Sequence, residues 1–172
     1  PEGAAGMVET NVNIAAVTMN GDAITSCVID AVQAQVSFDG QGQLLTDLSA
    51  PVPSKNDRGA DYGMGAVSSI GKEWNEQAAA FAAYVTGKTL DEVAGIAVDE
   101  ATKPAEADLA SSVTISIGGF QNAIAEAVDR AQPLGAQAGD ELRLVTSNSM
   151  AAGTAWLMSA RPPQVTSIRY TM

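Results

Sequence analysis

The sequence predicts an α+β fold, an antiparallel β-sheet with two main helices packed on it. Three observations lead there. Before residue 50, apolar and polar side chains alternate with a period of two, the pattern of strands with one face buried. The turn sequences Asn20-Gly21 and Asp39-Gly40-Gln41-Gly42 separate these runs at hairpin spacing. After residue 70, two stretches repeat their apolar residues at the spacing of a helix face.

The first strand places Val8, Val12, Ile14 and Ala16 on one parity. Asn20 and Gly21 both tolerate the positive φ that a tight hairpin requires, so the chain turns there. The second strand runs from about Ala23 to Phe38. Its later half alternates Val32, Ala34, Val36 and Phe38 with Gln33, Gln35 and Ser37. After the second turn, a short third strand near residues 43–49 would complete an antiparallel meander. Pro51 and Pro53 then stop the sheet, because proline cannot donate to a ladder.

A polar, glycine-rich loop over residues 54–65 follows. The first main helix is expected over 72–86, with Trp74, Ala78, Phe81 and Val85 on one face and Gly87 as its stop. A short helix comes next, with Thr89 as N-cap and Glu92 three residues later, the capping-box arrangement; Gly95 ends it. Residues 100–108 form an acidic, proline-containing loop, and residues 111–117 are β-branched and hydroxyl-rich. The second main helix is expected over 118–131, its stripe made of Phe120, Ile124, Ala127, Val128 and Ala131, with Pro133 and Gly135 beyond it. Residues 142–146 read as a strand. Residues 165–170, after Pro162-Pro163, read as a last one.

Composition bounds the function. With 172 residues, 46% hydrophobic and 17% charged, the chain has the length and apolar content of one domain over 1–172 with a sizeable core. No apolar run approaches the ~18 residues of a membrane span. The net charge of −11 repels nucleic-acid backbones and anionic membrane surfaces at long range. The absence of histidine excludes Ser-His and Cys-His nucleophile pairs and His-ligated metals. Cys27 is the one cysteine, so no intrachain disulfide forms, and it reads as a buried core residue. No nucleophile–base pair is visible, so a hydrolase has little support and the expectation leans against an enzyme. The chain starts at Pro1, in keeping with a signal segment and lipid anchor removed from a mature protein.

Two stretches carry the residue types of a binding site. In the glycine-rich loop, Gly59, Gly63 and Gly65 permit close backbone approach, and Lys55, Arg58 and Lys72 gather three of the nine basic residues. Such a patch suits a phosphate; the same residues also suit an ordinary solvated loop. The second stretch runs from Asp108 through Ser111, Ser112 and Thr114 to Ser116, with hydroxyls just before a helix whose N-terminus attracts anions. It reads equally as a strand face followed by a helix cap. Asp57, Asp61, Glu73 and Glu76 lack a paired geometry and read as solvating charges. Trp74 and Tyr84 suit either a flat ring or the core.

Taken in order, three segments resemble the FMN-binding domain family. Residues 12–32 resemble its opening hairpin. Asp61-Tyr62-Gly63-Met64-Gly65-Ala66, followed by Trp74, Gln77 and Gly87-Lys88, resembles its glycine turn and the GK after a helix. Asp108 through Ser116 resembles its D-x-x-S-G-A-T-x-[ST] signature and trailing helix. The family includes the C subunit of the sodium-pumping quinone reductase, the G subunit of the related ferredoxin-linked complex, and surface lipoproteins of anaerobic gut Firmicutes. The resemblance covers residues 8–132 and leaves 133–172 as an unassigned extension.

The resemblance implies FMN as cofactor, held by Thr114, Ser111, Ser112, Asp108, Gly63, Met64, Gly65, Arg58 and Lys72. Thr114 matches the threonine to which a separate flavin transferase attaches FMN through a phosphoester. Asp108 and Ser111 also match, but Ser112 stands where the family has glycine and Val113 where it has alanine. Side chains at both positions narrow the approach. The expectation is therefore a degenerate domain of an extracellular surface lipoprotein, with a binding or structural role and no covalent flavin. The alternative is a flavin-carrying redox module for extracytoplasmic electron transfer, a flavin-dependent electron carrier if it is an enzyme. Neither metal nor nucleic acid enters either reading, and membrane association comes only through the anchor.

Overall fold

The chain reverses at Gly21-Asp22, one residue later than Asn20-Gly21: Gly21 takes the positive φ, 59°, while Asn20 keeps strand geometry as the last residue of the first strand. Strand β1 (Gly6–Asn20) folds back on β2 (Ala23–Phe38), and the two form an antiparallel two-stranded sheet. The computed structural model describes residues 3–137, 139–155 and 165–171. After β2 come a single turn of helix, α1 (Lys55–Arg58), and a 3-10 turn (Gly59–Tyr62). The helices α2 (Trp74–Val85), α3 (Leu90–Ala94), α4 (Ala107–Ala110) and α5 (Gly118–Asp129) follow. Strands β3 (Ser149–Ala155) and β4 (Val165–Thr171) pair antiparallel, Ser149 opposite Thr171 and Ala155 opposite Val165. This is the α+β architecture read from the pattern. The chain divides into two compact units. One comprises Pro1–Asn11, Val32–Ser54 and Thr146–Met172, the other Val12–Ala31 and Lys55–Val145.

The second unit holds a large buried cluster. Ile24, Ile29 and Ala31 of β2 meet Trp74, Ala78, Phe81 and Val85 of α2, Val93 of α3, Leu109 of α4, and Phe120 and Ile124 of α5. The α2 residues recur at the i, i+4, i+7 spacing that puts them on one face, which is why this stretch folds as a helix against the sheet. Phe120 packs edge-on to Trp74 at a centroid distance of 5.6 Å and tilted against Phe81 at 5.8 Å, arrangements that aromatic quadrupoles favour. Val128, at the margin of the stripe, is only half-buried. The Glu76 carboxylate accepts the Glu73 N–H at 2.8 Å, fixing the helix start at Trp74 rather than at Lys72. At its far end, Gly87 donates to Ile24 O at 2.7 Å and Lys88 O accepts from Ile24 N–H at 2.9 Å, so the Gly87-Lys88 pair ties the exit of α2 to the edge of β2.

Strand β2 is not regular. Thr18 Oγ1 on β1 lies 2.8 Å from Thr25 Oγ1 and also hydrogen-bonds with Ser26 Oγ. Successive side chains of a strand point to opposite faces, so one residue meeting two consecutive partners marks a β-bulge. The core shows the same phase shift: Ile24 and Ile29 both belong to it although an odd number of positions separates them.

In the first unit, Val32, Ala34, Val36 and Val52 are buried. The third strand expected near 43–49 reduces to one bridge between Phe38 and Leu44. Two backbone bonds remain, Leu45 N–H to Ser37 O at 2.8 Å and Asp39 N–H to Gln43 O at 3.0 Å; beyond them side chains take over, Thr46 Oγ1 accepting Ser37 N–H and Asp47 Oδ1 accepting both Ser49 N–H and its hydroxyl. The strand expected over 142–146 is also absent. Arg143 pairs with Glu141 at 2.8 Å and Val145 is 89% exposed, so the alternation there has no ladder partner. The final strand forms as read, while Pro162-Pro163 lie outside the described residues.

Phe81 and Phe120 are 0% and 2% exposed. Replacing either with alanine is expected to cost roughly 3–5 kcal/mol in denaturant unfolding. A loss below about 1 kcal/mol, the ordinary range for surface sites, would refute this packing.

Candidate functional site

The stripe of α2 contains one misfit, Gln77, which lies between Trp74 and Ala78 and is 0% exposed. A buried carboxamide has to be satisfied locally. Its Nε2 donates to Lys72 O at 3.0 Å and to Ser68 Oγ at 3.3 Å, and lies 3.8 Å from Met64 Sδ. Its Oε1 accepts from Thr114 N–H at 2.8 Å and from the Thr114 hydroxyl at 3.2 Å. Gln77 therefore joins the two stretches that the sequence offers as binding segments.

One turn earlier, Glu73 organises the glycine loop. Gly63 takes a φ of 78°, and the next two amides converge: Met64 N–H donates to Glu73 Oε2 and Gly65 N–H to Glu73 Oε1, both at 2.9 Å. Successive convergent amides form an anion-binding nest. Here the anion is the protein's own carboxylate. A Cβ at position 65 would sit 2.7 Å from Glu73 Oε1, so glycine is required for this closure.

The remaining sequence candidates are placed as follows. Ser111 Oγ donates to Asp108 O at 2.7 Å and Ser112 Oγ to Leu109 O at 3.2 Å, both bonds turning back onto α4. Asp108 is exposed on α4. The Arg58 guanidinium lies over the Tyr62 ring at 4.9 Å and donates to Asp61 O at 3.4 Å. Lys72 pairs with Glu76 at 3.8 Å, and Lys55 stands over Tyr62 and Trp74 at 4.7 and 5.2 Å. Trp74 belongs to the core, while Tyr84 is half-buried and donates to Glu106 at 3.0 Å.

Residues 111–117 form a turn and coil, not a strand. Val113 and Ile117 are fully buried, which accounts for the large side chain at 113. The hydroxyls do not cap α5; its N-cap is Ile117, with no side-chain bond. Instead, Ile117 N–H donates to Thr102 O at 2.8 Å, and the Thr102 and Ser116 hydroxyls share a hydrogen bond. Thr102 sits at a φ of 57°, a strained setting for a β-branched residue.

The arrangement leaves few donors for a phosphate. The Met64, Gly65 and Thr114 amides and the Ser111, Ser112 and Thr114 hydroxyls already serve protein acceptors. Placed thus, these amides and hydroxyls do not offer themselves to an FMN phosphate, while Arg58 lies over Tyr62 and Lys72 beside Glu76. Among the described residues no group of His, Cys, Asp and Glu could hold a metal ion, and no helix is long and apolar enough to cross a membrane. No family model, curated protein or solved structure matches the chain.

The joining role of Gln77 and the closing role of Glu73 were missed in the sequence. A signal for the first exists, because a glutamine interrupts an otherwise apolar helical stripe. A second feature was also missed, a cavity beside Cys27. Burial pushes the Cys27 thiol from 9.0 up to about 12, so it stays protonated at neutral pH.

Gln77→Leu keeps the volume but strands the Thr114 amide, at an expected cost of about 1–3 kcal/mol in chemical unfolding; an unchanged midpoint would show that the bridge carries no stability. For Cys27 the folded pKa is the higher one, so its contribution is full below pH 9 and is lost as pH rises toward 12. Wild-type protein should therefore lose more melting temperature over that window than Cys27→Ala, and equal losses would contradict the assignment.

Proposed function

We propose that this is an FMN-binding-like domain of an extracytoplasmic surface lipoprotein that carries no covalent flavin and serves a binding or structural role. The observation that carries this reading is the state of Thr114. Its hydroxyl donates to the buried Gln77 Oε1, its amide is held by the same atom, and the preceding Val113 is fixed in the core. A transferase would have to free that hydroxyl from a bond between two packed segments. The closed nest at Met64 and Gly65 supports the same reading, since Glu73 fills the place an external anion would take. The surface location follows from the sequence resemblance.

A flavin-carrying redox module is the second reading. It is favoured by the meeting of Met64 and Thr114 on one side chain, Gln77. In that case the flavin would supply the electron chemistry and the protein its orientation. Co-expression with a bacterial flavin transferase separates the two. The expected result is an intact mass without an added FMN and no quenching of flavin fluorescence on titration. A mass increase of one FMN that disappears in Thr114→Val would overturn the first reading in favour of the second.

A further inference from the structure

The two strands of the hairpin differ at their outer edges. On β2 the chain covers its own edge: Ile24 exchanges backbone bonds with Gly87 and Lys88 at 2.7 and 2.9 Å, and Asn56 Nδ2 donates to Ile29 O at 2.9 Å. On β1 it does not. The sheet ends at this strand, and among the described residues no bond from another element reaches the backbone of residues 10–20. Such an edge presents a row of free N–H and C=O groups, which proteins ordinarily blunt with lysine, proline, a bulge or a short strand. Strand β1 is 15 residues long, and its bulged partner is β2. Residues 10–20 hold no charged residue and no proline, in a chain with 20 acidic and 9 basic residues. Thr10, Val12, Ile14, Val17 and Thr18 are β-branched, which favours pairing.

Helix α5 flanks this edge. Ala15, Val17 and Met19 pack against the core, and Asn13, of the same parity, lies against Gly119, where a Cβ would run into its carboxamide. Between residues 13–15 and the side of α5 runs an open groove of about 500 Å³. Gly119, Ala123 and Ala127, four residues apart, keep its helix side low. Asn122, Glu126 and Arg130 form the next row, which is exposed. The groove is too open to enclose a small molecule. A strand needs less: an edge for its backbone bonds and a low wall for alternate side chains, the arrangement by which an extended peptide adds to a sheet.

Two constraints choose the occupant. A second copy pairing antiparallel through β1 would keep its helices on the same face of the joined sheet. Adjacent strands lie about 4.8 Å apart, whereas packed helices need roughly 8–10 Å, so two copies of α5 would compete for one space. A lone strand brings no helix. Charge is the second constraint. Within the groove Arg130 is bonded to Glu126 at 2.6 Å, while Asp129 stands exposed at the end of α5, where the helix dipole is negative. The chain as a whole carries −11, so a basic segment is attracted and an acidic one repelled. We propose that the outer edge of β1 binds an extended, basic segment of another protein as an added strand, seated along α5. Its binding is independent of the fate of Thr114.

The test uses the intact, nitrogen-labelled chain and a short peptide of alternating valine and threonine with lysine at each end. At millimolar peptide, saturable chemical-shift changes are expected at residues 12–18 and 119–130. The same peptide methylated on its internal backbone nitrogens cannot donate to a ladder and should not bind. Glutamate in place of the lysines should weaken binding about tenfold, with the difference shrinking as salt is added. Ala123→Trp fills the groove and should abolish binding with circular dichroism unchanged. No shifts at all, equal binding of the methylated peptide, or equal binding of the acidic one would overturn the proposal. Dimerisation of the free chain through residues 12–18, seen by sedimentation, would overturn it in favour of a second copy. Should Ala123→Trp fail to fold, the methylated and acidic peptides still decide the matter.

Discussion

A buried carboxamide offers two donors and two lone-pair sites, and an apolar core can supply partners for neither. Gln77 therefore dictates what must surround it. Because it sits on the inward stripe of α2, backbone and hydroxyl groups have to be brought to it from the loop before the helix and from the segment before α5. Those segments carry little regular structure of their own. Their placement follows from satisfying one side chain, with Val113 and Ile117 anchoring the second segment in the core on either side of Thr114. Glu73 does the same for the glycine loop through a carboxylate.

Glu73 is one case of a wider habit. Asp39 accepts the amides of Gln41 and Gln43, Asp99 those of Ala101 and Lys103, and Asp30 those of Ala31 and Asn56. Acidic side chains thus close several loops, because a carboxylate is a strong acceptor for converging amides. The acidity of the chain, read from composition as solubility and long-range repulsion, is partly an inventory of turn-closing groups. The cations are used differently. Arg58, Lys55 and Lys88 each lie over an aromatic face, Lys88 at 4.5 Å from the Tyr84 ring centroid.

What was legible in the sequence followed from period. The first hairpin, the faces of α2 and α5 and the capping box at Thr89 all carry local signals; the helix faces and the box are found where those signals put them, and the turn falls one residue later, at Gly21-Asp22. Period misled where no partner strand was available, at 43–49 and 142–146, since alternation states a face but not a neighbour. The segment at 111–117 misled through its β-branched content, because Val113 and Ile117 are needed as core anchors rather than as strand residues. The candidate binding residues were chosen by type. Type alone did not reveal that the Met64 and Gly65 amides face Glu73, or that a glutamine joins the two stretches.

The bulge in β2 has a consequence for the length of the chain. A regular strand shorter by one residue between Thr25 and Val28 would still place Ile24 and the isoleucine after the deletion on the same face, since an even spacing would then separate them. Thr18 would oppose one residue instead of two, and the ladder would run uninterrupted. The extra residue is therefore not demanded by the packing of Ile24 and Ile29 on the core. The deletion would instead displace Ser26 or Cys27, of which Cys27 packs partly buried against that core, and the shorter strand would be the simpler hairpin.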